Sequence, residues 1–309
     1  MKLVVALGGN ALLRRGEPME QQVQTDNIDV AARVIARASD KHQLVITHGN
    51  GPQVGLLALQ NDAYKGVSPY TLDVLGAETE GMIGYLLAQG LRNHSKRDVI
   101  AMLTQTRVNI DDPAFRQPTK FVGPIYDEDT SRRLAAEKGW RMRLDGEAYR
   151  RVVPSPRPLS IVEEPIIRQL IETPELLVVC TGGGGVPVVE DKGLICGVEA
   201  VVDKDAASNV LGKAIGAEGL IMLTDVECVE SHFHQPGSRR IHSASPDAMT
   251  AFSFATGSMG PKVEAACDFV RSGGLFAAIG ALSDLDRILK REKGTFIVSD
   301  ENHLQFYED

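Results

Sequence analysis

The sequence predicts an α/β sandwich built on a mostly parallel sheet. Apolar runs of strand length alternate with helix-period segments almost throughout, and several of those runs end on glycine clusters, as strands entering tight turns into helices do. At 309 residues, with 43% hydrophobic and 24% charged residues, the chain is long enough to bury a large core.

Residues 3–7 (LVVAL) form a continuous apolar run that stops at Gly8 and Gly9, which suits a strand buried on both faces. Ile28, Ala31, Ala32, Ile35 and Ala38 then recur at the spacing of one helix face. Residues 44–47 (LVIT) make a second strand, and strand–helix–strand of this kind implies a parallel pair with a right-handed crossover. Further strands are expected at 99–103, 176–180, 220–223, 275–279 and 295–298, with helices at 71–91, 165–171 and 261–270. From about residue 111 to 158 the rhythm breaks into Pro, Arg and charge. That segment reads either as a long solvated insertion or as a small protruding subdomain that carries residues to a site. There is no internal repeat.

Composition excludes some functions. A net charge of −8 argues against non-specific nucleic-acid binding, which needs a basic face. No stretch reaches the roughly 18 apolar residues of a membrane span, and the opening MKLVVALGG reads as a strand rather than a secretory leader. Cys180, Cys196, Cys228 and Cys267 form no CxxC pair and read as buried thiols in a reducing compartment, so a cytoplasmic protein is expected.

The strongest chemical signal is four glycine clusters, each after an expected strand: Gly8-Gly9-Asn10, Gly49-Asn50-Gly51, residues 182–185, and Gly257-Ser258-Met259-Gly260. One such cluster is commonly only a tight turn. Four in an alternating α/β chain point to anion binding, because ligands sit at the carboxyl ends of parallel strands, where glycine lets backbone N–H groups approach. Pro52 and Pro261 each suit a first helical position, which places those glycines at helix N-termini. The chain lacks GxxxxGK[ST], and the glycines of HGNGPQVG are spaced one residue too widely for GxGxxG.

Asp203-Lys204-Asp205 is the second signal. In isolation it reads first as a solvated helix start; alternatively, a lysine between two aspartates bridges the donor and acceptor sides of a transferring phosphoryl group. Thr224 and Asp225 at a strand end either cap a helix or face a nucleotide. Lys262 sits just inside a helix start, where a cation is disfavoured unless an anion lies between. His232, His234 and His242 read as an exposed loop, since no Cys or carboxylate completes a zinc set. Ser160 and Glu163 have capping-box spacing.

Nine segments quoted in order resemble the carbamate kinase family of the amino-acid-kinase superfamily: ALGGNAL (6–12), HGNGPQVG (48–55), GMIGY (81–85), PTKFVGP (118–124), RRVVPSPRP (150–158), GGGGVPV (182–188), VVDKDAAS (201–208), LTDV (223–226) and GSMGPKVEA (257–265). The resemblance implies a three-layer αβα sandwich with a central, mainly parallel sheet and a small protruding subdomain. It implies a single domain over 1–309, with a carbamoyl-phosphate lobe (1–180, subdomain at about 111–158) and a nucleotide lobe (181–309). The implied reaction is reversible phosphoryl transfer between carbamoyl phosphate and ADP, giving ATP and carbamate, with Mg²⁺ on the nucleotide. The implied setting is a cytoplasmic homodimer that forms ATP in the breakdown of carbamoyl phosphate from arginine or purines.

By the same resemblance, Gly8, Gly9, Asn10, Gly49, Asn50, Gly51, Gly183 and Gly184 would hold the carbamoyl side and its phosphate. Lys204 and Lys262 would neutralise the phosphoryl group in flight, Asp203 would organise the lysines, and Lys120 would reach over the substrate. Lys204, Asp205, Thr224, Asp225, Val229, Met259, Gly260 and Lys262 would line the nucleotide side, and no metal-ligating residue is implied. Many relatives that phosphorylate carboxylates carry a lysine where Ala6 stands, and Lys120 is the natural substitute for that charge. Glu80 replaces a typical glutamine, and residues 227–237 lack the usual aromatic near the adenine, which Phe233 would replace. Two other readings are a non-catalytic sensor of a phosphorylated metabolite and a kinase of amino-acid carboxylates.

Overall fold

The computed structural model describes residues 1–13, 16–233, 237–255, 257–301 and 303–308, without the side chains of Asn10 and Ala11. β1 (Lys2–Leu7) leads through the short α1 (Gly9–Leu12) into α2 (Gln21–Ser39) and back to β2 (Gln43–His48). α3 (Gly51–Ala63) and α4 (Leu72–His94) carry the chain to β3 (Asp98–Ala101) and β4 (Gln105–Val108). Next come α5 (Pro113–Arg116), β5 (Lys120–Tyr126), α6 (Glu128–Lys138), β6 (Arg141–Asp145), β7 (Ala148–Val153) and β8 (Pro158–Ile161). α7 (Glu164–Leu170) precedes β9 (Leu176–Val179), a tight turn at Gly182–Gly184, and the hairpin β10 (Val186–Asp191) and β11 (Leu194–Gly197). The last third runs α8 (Lys204–Ala214), β12 (Gly219–Thr224), β13 (Val229–Glu230), β14 (Arg240–Ala244), α9 (Pro246–Met249) and α10 (Met259–Arg271). It closes with β15 (Phe276–Ala281), α11 (Leu285–Ile288), β16 (Thr295–Ile297) and β17 (Leu304–Phe306).

Among the described residues the main sheet has ten strands, in the order β13-β14-β16-β15-β12-β1-β2-β9-β3 with β17 beside β14. From β3 to β15 every neighbouring pair is parallel. The alternation along β1 shows why the sheet is covered on both faces. Leu3, Val5 and Leu7 pack with Ile28, Ile35, Ile83 and Leu87 of α2 and α4, while Val4 and Ala6 pack with Leu211 and Phe269 of α8 and α10. Each large side chain so buried contributes about 1.5–3 kcal/mol. This is the expected α/β sandwich with a mainly parallel sheet. Chain order reverses at β1, which has β2 on one side and β12 on the other, and such a reversal opens a crevice at the carboxyl ends of the strands.

The charged segment is an ordered subdomain rather than a solvated insertion. β5, β7 and β6 form a three-stranded antiparallel sheet, and α6 is bounded by the Asp127 side chain, which accepts from Thr130 N at 2.8 Å, and by left-handed Gly139. Val122 and Val153 anchor it on Val54, Leu72 and Leu75 of α3 and α4. β4 and β8 belong to another small sheet, β11-β10-β4-β8.

Four local readings need correction. Ser160 lies within β8 and Glu163 is itself the residue before α7, its carboxylate holding the Gln105 backbone N at 2.7 Å, so there is no capping box. Pro261 is the third residue of α10 rather than the first, and α9 with an irregular segment separates the 257–260 cluster from β14. His242 lies in β14, edge-on to Tyr307 at 4.9 Å, instead of in an exposed loop, while His234 falls outside the described residues. Cys196 is exposed, unlike the other three thiols. Among the described residues no helix is long and apolar enough to cross a membrane.

Candidate active site

Three strand ends and two helix starts meet at the crevice. Gly8 follows β1, and its N–H donates to Leu223 O of β12 at 2.8 Å, so the first glycine loop lies against the Leu223-Thr224 end. Gly49 follows β2, and its N–H donates to Leu7 O at 3.0 Å; a side chain on Gly49 would press on Gly9 N. The third loop needs its glycines. Gly183 has φ of +64° and a Cβ there would overlap the Asn50 amide, while Gly184 has φ of +92° and a Cβ there would strike Val202 O. The loops at 8–9, 49–51 and 182–185 are thus packed on one another. Asn50 is turned inward, its Nδ2 donating to Thr79 Oγ1 at 2.9 Å, so the 49–51 loop offers backbone rather than this amide. The Asn10 side chain lies outside the described residues.

α8 starts beside these loops. Asp203 caps it, accepting from Asp205 N and Ala206 N at 2.9 and 3.2 Å through Oδ1. Ser208, one turn on, bonds Thr47 Oγ1 at 2.6 Å and ties the helix to the end of β2. Capping leaves Asp203 Oδ2 for Lys120 Nζ, which reaches over from the first residue of β5 at 2.6 Å. Asp205, on the inner face, is flanked by Lys204 Nζ at 2.8 Å and Lys262 Nζ of α10 at 3.0 Å. The structure therefore brings Lys120, Asp203, Lys204, Asp205 and Lys262 together. It divides their work differently from the expectation: Asp205 bridges Lys204 and Lys262, whereas Asp203 holds Lys120 alone.

Three ammonium groups against two carboxylates leave one net positive charge in a mostly enclosed place. Burial pushes the Lys204 ammonium below its ordinary range, and Asp205 opposes that shift. Burial favours a neutral Asp205 and Asp203, yet Lys204 and Lys262 hold the first, and Lys120 the second, well below the usual carboxylate range. For Lys120 desolvation acts downward but Asp203 outweighs it, so the ammonium is raised. Lys204 Nζ touches Asp205 without hydrogen-bond alignment and has no hydrogen-bond partner among the described residues, although Lys204 is only 8% exposed. A buried ammonium with unused donors is costly unless an anion completes it.

Among the residues expected to face a nucleotide, Thr224 ends β12 with its hydroxyl on Asp225 Oδ1 at 3.0 Å; Met259 and Gly260 open α10, and Lys262 follows in its first turn. Val229 is corrected: it is 0% exposed within the core, so its side chain faces no open pocket. Phe233 is 56% exposed.

Glu80 and His48 sit behind the loops and were given no role in the sequence reading. Glu80 is 2% exposed and accepts from Gly182 N at 2.8 Å and Thr104 Oγ1 at 2.7 Å. Burial pushes His48 down to about 4, so it is a neutral wall. Burial likewise raises Glu80 from 4.5 to about 7, against the hydrogen bonds it accepts. Because folding raises this pKa, the group stabilises the native state most below pH 4.5 and loses that contribution as pH rises through about 7. Glu80→Gln keeps a carbonyl for Gly182 and removes the titration. Thermal melts should show the variant gaining on wild type between pH 5 and pH 8, by on the order of 3 kcal/mol. An equal offset at both pH values would show that Glu80 titrates normally.

Among the described residues no group of three His, Cys, Asp or Glu could hold a metal ion. Asp203 and Asp205 are already engaged by lysines, and Glu80 by Gly182 N and Thr104. The arrangement can bind an anion at stacked glycine loops and place up to three cations around it.

Residues 1–280 match the family model described as Amino acid kinase family. The chain is 50% identical to the carbamate kinase of Rhizobium meliloti over 304 residues, covering 97% of this chain and 94% of that one. It is 47% identical to the carbamate kinase of Haemophilus influenzae, covering 99% and 100%. Among solved structures, the carbamate kinase of Giardia lamblia bound to AMP-PNP superposes with a TM-score of 0.88 at 39% identity, covering 97% of this chain and 98% of that one.

Proposed function

Because this chain belongs to the amino acid kinase family and, within it, to the carbamate kinases, we propose that the lysine cluster at the carboxyl ends of β1, β2 and β12 performs the phosphoryl transfer. The enzyme moves a phosphoryl group between carbamoyl phosphate and ADP, giving carbamate and ATP. The observation that carries the site assignment is Asp205 with Lys204 and Lys262 on either side, within 3.0 Å, beside the stacked glycine loops.

Forward transfer breaks the bond between phosphorus and the carbamoyl oxygen and forms one between phosphorus and a β-phosphate oxygen of ADP. Carbamate leaves with the electron pair as an anion. The attacking oxygen is also already anionic, so no proton need move, which fits a site whose His48 is neutral and whose acids are paired. Such a transfer is chiefly positioning and charge stabilisation. In this reading the backbone N–H groups of Gly9, Gly51 and Gly183 seat the carbamoyl phosphate, while Gly8, Gly49 and Gly184, whose N–H groups bond Leu223 O, Leu7 O and Thr181 O, shape the loops around it. Lys204 and Lys262 take up charge on the moving group, and Lys120 closes over it from the subdomain. Residues 1–180 would serve mainly the carbamoyl side and 181–309 the nucleotide, with Thr224, Asp225, Met259 and Gly260 beside it. Mg²⁺ enters with the substrate as MgADP rather than in a protein cage. The physiological direction we assign is ATP formation from carbamoyl phosphate, in the cytoplasm, by a homodimer; sedimentation equilibrium giving a monomer mass would remove the last point. Neither the sensor nor the carboxylate-kinase alternative is favoured, since the relatives above carry the carbamate kinase name.

The test is ATP formation by the purified protein from carbamoyl phosphate and MgADP. Activity should vanish with excess EDTA and return with Mg²⁺, while EDTA leaves the melting temperature unchanged. A folded protein that binds carbamoyl phosphate in calorimetry and never makes ATP would refute the proposal.

A further inference from the structure

Lys120 reaches the site only because the subdomain sits close against α3. Gly55, buried in the second turn of α3, meets Gly123 of β5, and a Cβ on Gly55 would lie 2.5 Å from Gly123 Cα and 2.7 Å from its N. Those contacts are with backbone, so no side chain can swing aside. Gly123 has φ of +74°, where β5 bulges against β7 between Val122 and Ile125, and its carbonyl accepts from Arg150 Nε at 2.7 Å. Lys120 is three residues earlier on the same strand, with its ammonium on Asp203 at 2.6 Å. We propose that Gly55 and Gly123 are positioning residues for Lys120: their backbone contact fixes how near the protruding sheet comes to the main sheet, and hence whether that ammonium reaches the transfer site.

The inference rests on the assignment of Lys120 above and adds a cause for its placement. Below about 3.4 Å a methyl and a backbone carbon do not coexist at ease, so Gly55→Ala must move the strand outward by roughly 1 Å. The side-chain anchors, Val122 and Val153 on Val54, Leu72 and Leu75 and Lys138 on Asp62, can adjust to such a shift, and the backbone tie in the same region, Val201 N to Pro154 O at 2.9 Å, lies past the end of β7. The Lys120–Asp203 bond, at 2.6 Å, is the feature that a displacement of that size breaks.

The test is a double-mutant cycle on ATP formation with wild type, Gly55→Ala, Lys120→Ala and the double variant. Labelling of Lys120 by an amine-reactive ester, read by mass spectrometry, and circular dichroism accompany it. Gly55→Ala should lower kcat by about tenfold to a hundredfold, as a 1 Å misplacement does. It should leave KM for ADP unchanged and raise Lys120 labelling above that of the remaining lysines. In the Lys120→Ala background it should change the rate by less than about twofold, because the two substitutions then remove one effect. Wild-type activity in Gly55→Ala, a double variant that loses the product of both single effects, or unchanged Lys120 labelling would overturn the proposal. Full activity in Lys120→Ala would instead overturn the assignment of Lys120, and the positioning role with it. If Gly55→Ala does not fold, Gly123→Ala replaces it in the cycle, since its methyl meets open space and strains φ alone. The same epistasis is required of it, and additivity would refute the role.

Discussion

Lys204→Ala is expected to lower kcat for ATP formation by about 10³-fold while the protein stays folded, since removing one preorganised charge from a water-poor site costs on that order. The fold should survive because of how this lysine is placed. Its ammonium is buried, pushed below its ordinary range by desolvation, and lacks an aligned hydrogen bond among the described residues, so it adds little to native stability. Asp205 keeps Lys262 after the substitution and is not stranded. Lys262→Ala should behave alike, and the double variant should fall well short of the product of the two losses, because both cations serve one carboxylate and one transferring group. Rates from a coupled ATP assay, with melting temperatures alongside, check this. Near-normal turnover in folded Lys204→Ala would remove the lysine from the mechanism.

The largest stability effect is expected from Asp205→Ala. This carboxylate, 4% exposed, pairs with both Lys204 and Lys262, and removing it leaves two ammonium groups facing each other with little water. Breaking a buried pair from one side costs about 3–5 kcal/mol. The variant should melt well below wild type and, unlike wild type, should recover much of that loss in millimolar inorganic phosphate, which supplies the missing negative charge. A melting temperature equal to that of wild type without phosphate would mean that the cluster is not electrostatically strained. Asp203→Ala should be milder in stability, since it frees a half-buried Lys120 and removes a helix cap of about 1 kcal/mol.

Much of the architecture was legible because hydrophobic periodicity is a local signal. The run at 3–7 is 0% exposed in β1, and the seven strands expected from apolar runs occur within one or two residues of their expected limits. Readings that depended on helix phase or on distant partners went astray. Ser160 and Glu163 have the right spacing for a cap, but the backbone through Ser160 is paired with β4, which no local pattern reveals. Val229 lies in a segment expected on the nucleotide side, yet strand alternation turns its side chain into the core. Asp203-Lys204-Asp205 was visible as a triplet. Which aspartate holds which lysine is set by where α8 begins: the residue before the helix turns one oxygen to the backbone, and its neighbour two residues on faces α10. The role of Glu80 was hidden for a related reason, since its partners Gly182 and Thr104 are 102 and 24 residues away.

Transfer by this site requires one phosphoryl group to reach the ammonium groups of residues 204 and 262 together. A crystal structure with MgADP and a planar aluminium fluoride mimic of that group measures this most directly. Both Nζ atoms should lie within hydrogen-bonding distance of its fluorides, with the Lys204 donors now satisfied. A mimic bound elsewhere, with both lysines still closed on Asp205, would contradict it.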